Sequence, residues 1–226
     1  MEYSFLHNLN IDTQSLLLLL MLPVIATIVG IARHVIGVKS LGLYAPIVLT
    51  YGFYALGLVG GKQDPIVGLK YGLFITTIIF LSTVLGTSLI KRWRMHYYPK
   101  VSIILSIVAM ALIGVLVFAA EIGKTEFSTN NIFALILMAS VAEQFTSSLA
   151  KNKLKTALIV TLETFSISIL SYLLISLESF QKLILTYPYL LILTIIINYF
   201  VGRYRGLRIR EYFRFRDILN TNPEEE

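Results

Sequence analysis

Two glutamates, Glu143 and Glu163, are the residues of this sequence best suited to chemistry. Each lies within a long apolar run, and the two runs flank a basic hairpin at residues 150–155. If both runs are helices, the two carboxylates lie about 10 to 13 Å from the hairpin and so at nearly one depth. A carboxylate within hydrocarbon costs about 2.5 to 3.5 kcal/mol or more, so it must be paired or face a wet interior. The pattern therefore predicts one of two roles for the glutamates. They form a proton- or cation-binding site, or they form a polar lock, by which we mean a polar contact that fixes the register of helices in a bundle.

A polar lock requires a basic or hydrogen-bonding partner for each acid. Arg33 and His34, at the predicted end of the first apolar run, are within reach of this role. We expect Asn198 and Gln144, which also lie in apolar runs, to form interhelical hydrogen bonds. Spacing alone does not choose between an ion site and a lock, so both interpretations stay open. The candidate intramembrane polar site comprises Glu143, Glu163, Arg33 and Asn198.

Seven apolar runs must position these residues. The chain is 56% hydrophobic and 14% charged, whereas a soluble domain is about 25% charged. Its mean hydropathy is +0.77. Each run approaches the ~20 residues that a spanning helix needs. The sequence therefore predicts an all-α polytopic membrane protein with seven transmembrane helices, one membrane domain over residues 1–202 and a tail over residues 203–226. The predicted spans lie near residues 15–36, 41–61, 66–90, 101–120, 131–149, 154–176 and 181–202.

The basic residues predict the orientation of these spans. Most of the 19 lysines and arginines fall in alternate loops and in the tail, while the other side keeps Lys62, Lys124 and Lys182, with Lys70 just inside its rim. Because cytoplasmic loops carry an excess of Lys and Arg, we expect the N-terminus outside and the C-terminus inside. Topology and anionic lipids then explain the net charge of +6, so a nucleic-acid partner is not needed.

Two sequence patterns bear on how the spans pack. At an offset of 89 residues, Tyr98-Pro99 aligns with Tyr187-Pro188, and each pair opens the third span of its half. This predicts an alternative description of the fold as one helix plus two inverted three-helix repeats, an arrangement of transport-type proteins. Gly68 and Gly72 form a GxxxG pair, which predicts a close helix contact.

The tail after the last span alternates arginines with aromatic residues. This pattern suits an interfacial helix, with rings in the headgroup layer and guanidiniums on lipid phosphates. A topology anchor and a docking surface for a cytosolic partner both explain it. We expect the acidic end at residues 222–226 to be disordered. The candidate docking residues are Arg203, Tyr204, Arg205, Arg208, Arg210, Arg214 and Arg216.

Several kinds of site are excluded or disfavoured by composition and motif. The chain has no cysteine, which excludes disulfides and thiol chemistry. His34 and His96 lie among basic residues and His7 lies far from both, so we expect no metal site. No P-loop, HExxH, nucleophile elbow or dinucleotide fingerprint is present, so we expect no cofactor and no recognisable enzyme.

Two stretches resemble a known family: residues 32–38 with 42–46, and the tail over 202–216. The chain resembles the seven-helix membrane domain that is usually fused behind an inactive transglutaminase-like domain in bacteria. More distantly, it is similar to the small membrane subunit of poly-γ-glutamate capsule synthesis. Glu143 falls where the family tends to carry a Glu followed by Arg, but Gln144 follows here. The matching positions are Arg33, Gly37, Gly42, Pro46, Gly202, Arg203, Tyr204, Gly206, Glu211, Arg214 and Arg216.

The resemblance implies a non-catalytic membrane component that works beside an ATP-grasp amino-acid ligase. Such a component makes or exports a peptide-like, possibly polyglutamate-like polymer in the bacterial cytoplasmic membrane. Its implied partners are a cytosolic ligase, membrane or extracytoplasmic proteins and further copies of the chain. Two alternatives stay open: an independent proton- or sodium-coupled transporter that uses Glu143 and Glu163, and an intramembrane enzyme. Replacing both glutamates by glutamine distinguishes them from a scaffold.

Overall fold

The computed structural model describes residues 13–59, 62–91, 93, 95–121, 132–204, 206 and 209–214. Most of these residues are helical, and the described strands form a small antiparallel hairpin in which Leu58 pairs with Gln63. The elements are α1 (Thr13–Ile31) with a π-helical turn (Ala32–Ile36), α2 (Tyr44–Leu56), β1 (Leu58–Val59), β2 (Lys62–Gln63), α3 (Pro65–Ile90), α4 (Tyr97–Glu121), α5 (Ile132–Lys151), α6 (Leu154–Ser176), α7 (Glu178–Thr186), α8 (Leu190–Arg203) and α9 (Ile209–Arg214).

The described residues contain five helices long and apolar enough to cross a membrane. A sixth span is obtained when α7 and α8 are counted together. The all-α, polytopic membrane fold predicted from the sequence is thus confirmed. The five helices are Gln14–Ile36, Pro65–Ile90, Tyr97–Glu121, Ile132–Lys151 and Leu154–Ser176.

The second predicted span, residues 41–61, is shorter than expected. Its helix, α2, has 13 residues and covers about 20 Å, against a hydrocarbon core of ~30 Å. Pro46 is the third residue of α2, in the first turn, where its missing N–H costs no helical bond, so it does not kink the helix. Nine of the 13 residues are buried, because α3, α5 and α6 surround α2. The short helix is therefore the centre of the bundle.

The seventh predicted span, residues 181–202, is not one continuous helix. It is divided into α7 and α8, whose axes differ by 102°. Pro188 follows Tyr187, and the residue before a proline is driven out of the α region. Tyr187 accordingly has φ −126° and ψ 68°, which ends α7.

The loops alternate between two ends of the bundle, because helices joined by short connections run antiparallel. We call the end formed by residues 37–43, residues 151–153 and Arg203 the basic end. The end that holds the β-hairpin is the opposite end. The predicted three-helix repeat stays a prediction.

The glycine pair in α3 makes the close contacts that its spacing predicts. A Cβ at Gly72 would clash with the Phe53 ring, and one at Gly68 would clash with the Tyr172 hydroxyl. The Phe53 and Tyr172 rings meet edge to face, with centroids 5.9 Å apart. These small residues let α3 approach both α2 and α6 closely.

Candidate functional site

A structured loop at the basic end, residues 37–43, joins α1 to the central helix α2. The π-helical turn ends at Gly37, whose φ of 87° suits a residue without a Cβ. The backbone N–H groups of Gly37 and Val38 both donate to the Ala32 carbonyl, at 3.1 and 3.0 Å. A second left-handed residue, Gly42 at φ 97°, turns the chain into α2. Two glycines five residues apart thus shape this loop.

The loop is held against α6 by two hydrogen bonds. The Lys39 backbone N–H donates to Glu163, and the Leu41 N–H donates to Thr164 Oγ1 at 3.0 Å. Glu163 lies nine residues into α6, about 13 Å along the helix from its start. Non-helical backbone within a membrane bundle must find its partners in protein. Glu163 and Thr164 supply such partners.

The tail folds back onto the same carboxylate. Arg210, in α9, places its guanidinium 2.7 Å from Glu163 Oε1. The Glu163 side chain is 21% exposed and the Arg210 side chain 56% exposed. A short N–H···O bond between two charged groups is stronger than a neutral one, although exposure weakens it. Glu163 therefore joins three parts of the chain: α6, the 37–43 loop and the tail.

Glu143 has a different environment. It is exposed on α5 and forms no hydrogen bond or ion pair in the part of the chain that the structure describes. Exposed residues of α5 at positions 133, 136 and 140 lie on the same face. This face points away from the buried side of α5, which contains Met138 and Phe145. Glu143 is thus an outward-facing acid, and it shares no bonding partner with Glu163.

The other two members of the candidate polar site lie apart from both acids. Asn198 donates from Nδ2 to Thr27 Oγ1 at 2.8 Å, which joins α8 to α1. It also donates to the Thr194 carbonyl one turn back. Arg33 is exposed on the π-helical turn and pairs with neither glutamate within the described residues. The structure therefore pairs Glu163 with Arg210 instead of Arg33.

The tail residues divide into described and undescribed positions. Arg203 ends α8 and donates to the Tyr199 hydroxyl at 3.0 Å. Tyr204 is exposed just after α8, and Arg214 is the last residue of α9. Arg205, Arg208, Arg216 and the acidic end at 222–226 lie outside the described residues.

The contacts of Glu163 suit a residue that holds the loop and the tail in place more than a catalytic residue. In the described ranges, no three acidic or histidine side chains are grouped so as to hold a metal ion. Glu163 uses one oxygen for Arg210 and the other for a backbone N–H. Sequence reasoning singled out Glu163 but missed Thr164, Thr27 and the Lys39 backbone. The spacing of Gly37 and Gly42 was the available signal for a structured loop.

Comparison with known protein families identifies the family to which this chain belongs. Residues 1–219 match a family described as seven transmembrane helices usually fused to an inactive transglutaminase. The chain belongs to this family. The first resemblance stated from the sequence is thereby confirmed, while the likeness to the poly-γ-glutamate subunit stays a prediction. No curated protein and no solved structure matched the chain. Membership indicates a multi-pass membrane module.

Proposed function

We propose that the protein is a non-catalytic integral subunit of a complex in the bacterial cytoplasmic membrane. Residues 1–202 form its membrane domain, and residues 203–226 form a cytoplasmic tail. The N-terminus lies outside and the basic end faces the cytosol. The complex makes or exports a peptide-like polymer, and a cytosolic ATP-grasp ligase docks at the basic end.

One observation carries this proposal: the two intramembrane acids occupy different environments. Glu163 is bonded to Arg210 and to the Lys39 N–H, whereas Glu143 faces outward and has no bonding partner among the described residues. A carrier that uses both acids needs them free and facing one cavity. A subunit instead needs one acid to fix its own structure and a second polar group to contact a neighbour. The observed separation of Glu143 from Glu163 supports the role of a subunit over that of a carrier.

The outward position of Glu143 supports contact with another membrane helix. Glu143 lies about 16 Å from the first residue of α5 and about 12 Å from the last. In a helix of spanning length, this position is near the middle of the bilayer, where an unpaired carboxylate costs about 2.5 to 3.5 kcal/mol or more. A partner helix with a basic or hydroxyl side chain at this depth offsets that cost.

The basic end supports docking of a soluble partner. Lys151, Lys153 and Lys155 are exposed around the turn between α5 and α6, and Arg203 is exposed at the same end of the bundle. Arg210 belongs to the internal contact with Glu163, so we assign the docking role to the exposed basic residues that make no such contact among the described residues. Charged surfaces of this kind steer partner association and set its salt dependence.

Purification of the complex tests the proposal. A tagged chain, crosslinked mildly in native membranes and extracted in detergent, should retain a cytosolic ligase. The triple variant Lys151→Gln, Lys153→Gln, Lys155→Gln should lose at least three quarters of it at physiological salt. The control, Lys70→Gln with Lys182→Gln, removes two exposed lysines towards the opposite end and should retain the ligase. Recovery of the chain alone, or equal loss in both variants, rejects ligase docking at the basic end.

A second candidate function is an independent proton- or sodium-coupled transporter. The 102° bend between α7 and α8 and the short central helix favour it, because transporter sites are often built from interrupted helices. In liposomes that contain the purified protein alone, a transporter should show ion-driven uptake of a peptide-like substrate. That uptake should fall to background in Glu143→Gln with Glu163→Gln. A subunit shows no such uptake and loses only stability in the same variant.

A further inference from the structure

The ends of α1 and α8 lie side by side at the basic end of the bundle. The hydrogen bond between Asn198 and Thr27 fixes the register of the two helices, and α8 also contacts the π-helical turn that follows α1. Arg33 lies six residues beyond Thr27, and Arg203 lies five residues beyond the asparagine. Each arginine is therefore about 8 to 9 Å further along its helix than this bond. Two arginines of neighbouring helices thus lie at nearly one depth.

The Arg203 side chain points back along α8, towards the bilayer. Its Nη1 donates to the Tyr199 hydroxyl at 3.0 Å, and Tyr199 lies one turn earlier in the helix. Helical side chains lean towards the N-terminus, which for α8 is the membrane side. The bond uses one of the five guanidinium N–H groups. The charge of Arg203 is thus held near the level of lipid headgroups and is not extended away from the membrane.

No acidic side chain balances these two arginines within the described residues. Arg33 is exposed and forms no hydrogen bond or ion pair there, while Arg203 bonds only within its own helix. The nearby acid Glu163 uses one oxygen for Arg210 and the other for a backbone N–H of the loop. Like charges at one depth repel each other, and an anion bound between them removes this repulsion. The pair therefore fits an anion that accepts from two guanidiniums.

Apolar side chains lie on the membrane side of this pair. Phe200 and Ile196 precede Arg203 by about one and two turns, and their exposed fractions are 66% and 45%. No residue of α8 is buried, so most of the surface of this helix is left for lipid. An anion that carries hydrocarbon chains gains contacts with this surface and with the arginines. A free phosphate ion gains only the contacts with the arginines.

We propose that Arg33 and Arg203 bind the phosphate of an anionic phospholipid, whose acyl chains lie along α8. A phosphate diester has two unesterified oxygens, and each accepts from one guanidinium in a charge-assisted hydrogen bond. Basic pockets between transmembrane helices bind anionic headgroups in this way. A zwitterionic lipid carries its own cation beside the phosphate, so it gains less from the arginines. The site involves neither the ligase nor the lysines used to test ligase docking, so either proposal can fail alone.

Lipid titration of the purified protein tests the choice of headgroup. Delipidated protein in a neutral detergent is titrated with dioleoyl phosphatidylglycerol or dioleoyl phosphatidylcholine, and native mass spectrometry measures the bound fraction. Phosphatidylglycerol should bind at least fivefold more tightly. Inorganic phosphate in large excess over the lipid should not displace it. Equal affinities of the two lipids, or displacement by inorganic phosphate, overturn the proposal.

A pair of double variants locates the site. Arg33→Gln with Arg203→Gln should bring the two lipid affinities to within twofold of each other, because both cations are gone. Lys91→Gln with Lys151→Gln removes the same charge from exposed positions at the ends of α3 and α5 and should keep the preference of the parent. An equal loss in the two double variants shows an effect of overall charge and rejects the site.

Tyr199→Phe tests the position of Arg203 without a change of charge. It removes the hydroxyl that accepts from the guanidinium. The affinity for phosphatidylglycerol should fall at least threefold, while binding of phosphatidylcholine should not change. Tyr189→Phe, exposed at the start of α8, is the control and should bind both lipids as the parent does. Parent-like binding of phosphatidylglycerol by Tyr199→Phe overturns the proposal, because the site requires Arg203 to be held towards the bilayer.

Discussion

The guanidinium of Arg210 lies 2.7 Å from Glu163 Oε1 and so joins the tail to a helix 47 residues earlier in the chain. The same carboxylate accepts the Lys39 N–H through its other oxygen. Because one side chain connects α6, the 37–43 loop and α9, the intramembrane acid and the basic tail form one structural unit. Removing Glu163 should therefore affect both the loop and the tail.

Glu163→Gln should release the tail. The glutamine has no charge for Arg210, so we expect trypsin to cleave the tail severalfold faster in detergent. The loss of unfolding free energy should be about 1 kcal/mol or less, because Arg210 is more than half exposed. Glu178→Gln removes an exposed ion pair with Lys182 at the opposite end and should leave tail cleavage unchanged. An unaltered cleavage rate in Glu163→Gln contradicts the contact.

Gly68→Ala should strongly destabilise the bundle. The added Cβ would meet the Tyr172 hydroxyl and the Phe53 carbonyl, so α3 must move away from its neighbours. Overpacking of this kind costs about 1 to 3 kcal/mol, measured as a lower melting temperature in detergent. Gly114→Ala in α4 is the matched control, since none of the described residues lies within 4 Å of a Cβ there. Similar melting of both variants would show that α3 does not pack as described.

Gly42→Ala should destabilise the loop between α1 and α2. Gly42 has φ 97°, where a side chain adds strain of about 1 to 3 kcal/mol, while Gln144 Oε1 at 3.5 Å leaves room for a methyl group. The effect is therefore conformational and not steric. Gly202→Ala in α8 meets no other described residue within 4 Å and has ordinary helical backbone, so it should be neutral or slightly stabilising. Thermal unfolding of the two variants, followed by circular dichroism, measures the difference.

Asn198→Leu should weaken the contact between α8 and α1. It removes the hydrogen bond to Thr27, and interhelical bonds in membranes contribute about 0.6 kcal/mol on average and at most ~1.7 kcal/mol. The double variant with Thr27→Val should lose little more, because both changes remove the same bond. Ser166→Ala is the control, because among the described residues its hydroxyl bonds within its own helix, to the Leu162 carbonyl. Additive losses in the double variant would reject direct coupling.

Cysteine labelling tests the proposed orientation. The chain has no native cysteine, so single exposed cysteines report unambiguously. On intact cells, a membrane-impermeant maleimide should label Glu178→Cys at the opposite end. It should label Asn152→Cys at the basic end only after lysis. The reverse pattern would place the basic end outside and remove the cytosolic docking proposal.

The predictability of the candidate site differed from residue to residue. The cost of burying a carboxylate was enough to single out Glu163 and Glu143, because it depends only on residue type and on the surrounding apolar run. Which acid faces inward depends on how α5 and α6 rotate against α2, and a hydrophobic run does not specify that rotation. The pairing of Arg210 with Glu163 could not be predicted from the sequence either. The alternating arginines and aromatic residues of the tail suit contact with lipid, with a partner protein or with the protein itself.

The sequence by itself determined that this protein is an all-α, multi-pass membrane protein, because long apolar runs have no other stable environment. It also determined the close approach at Gly68 and Gly72, since small residues permit it wherever helices meet. The tertiary structure alone decided that α2 is a short buried core, that the last apolar run bends and that Glu163 holds the tail. These features depend on contacts between distant segments, and local hydropathy carries no information about which segments meet.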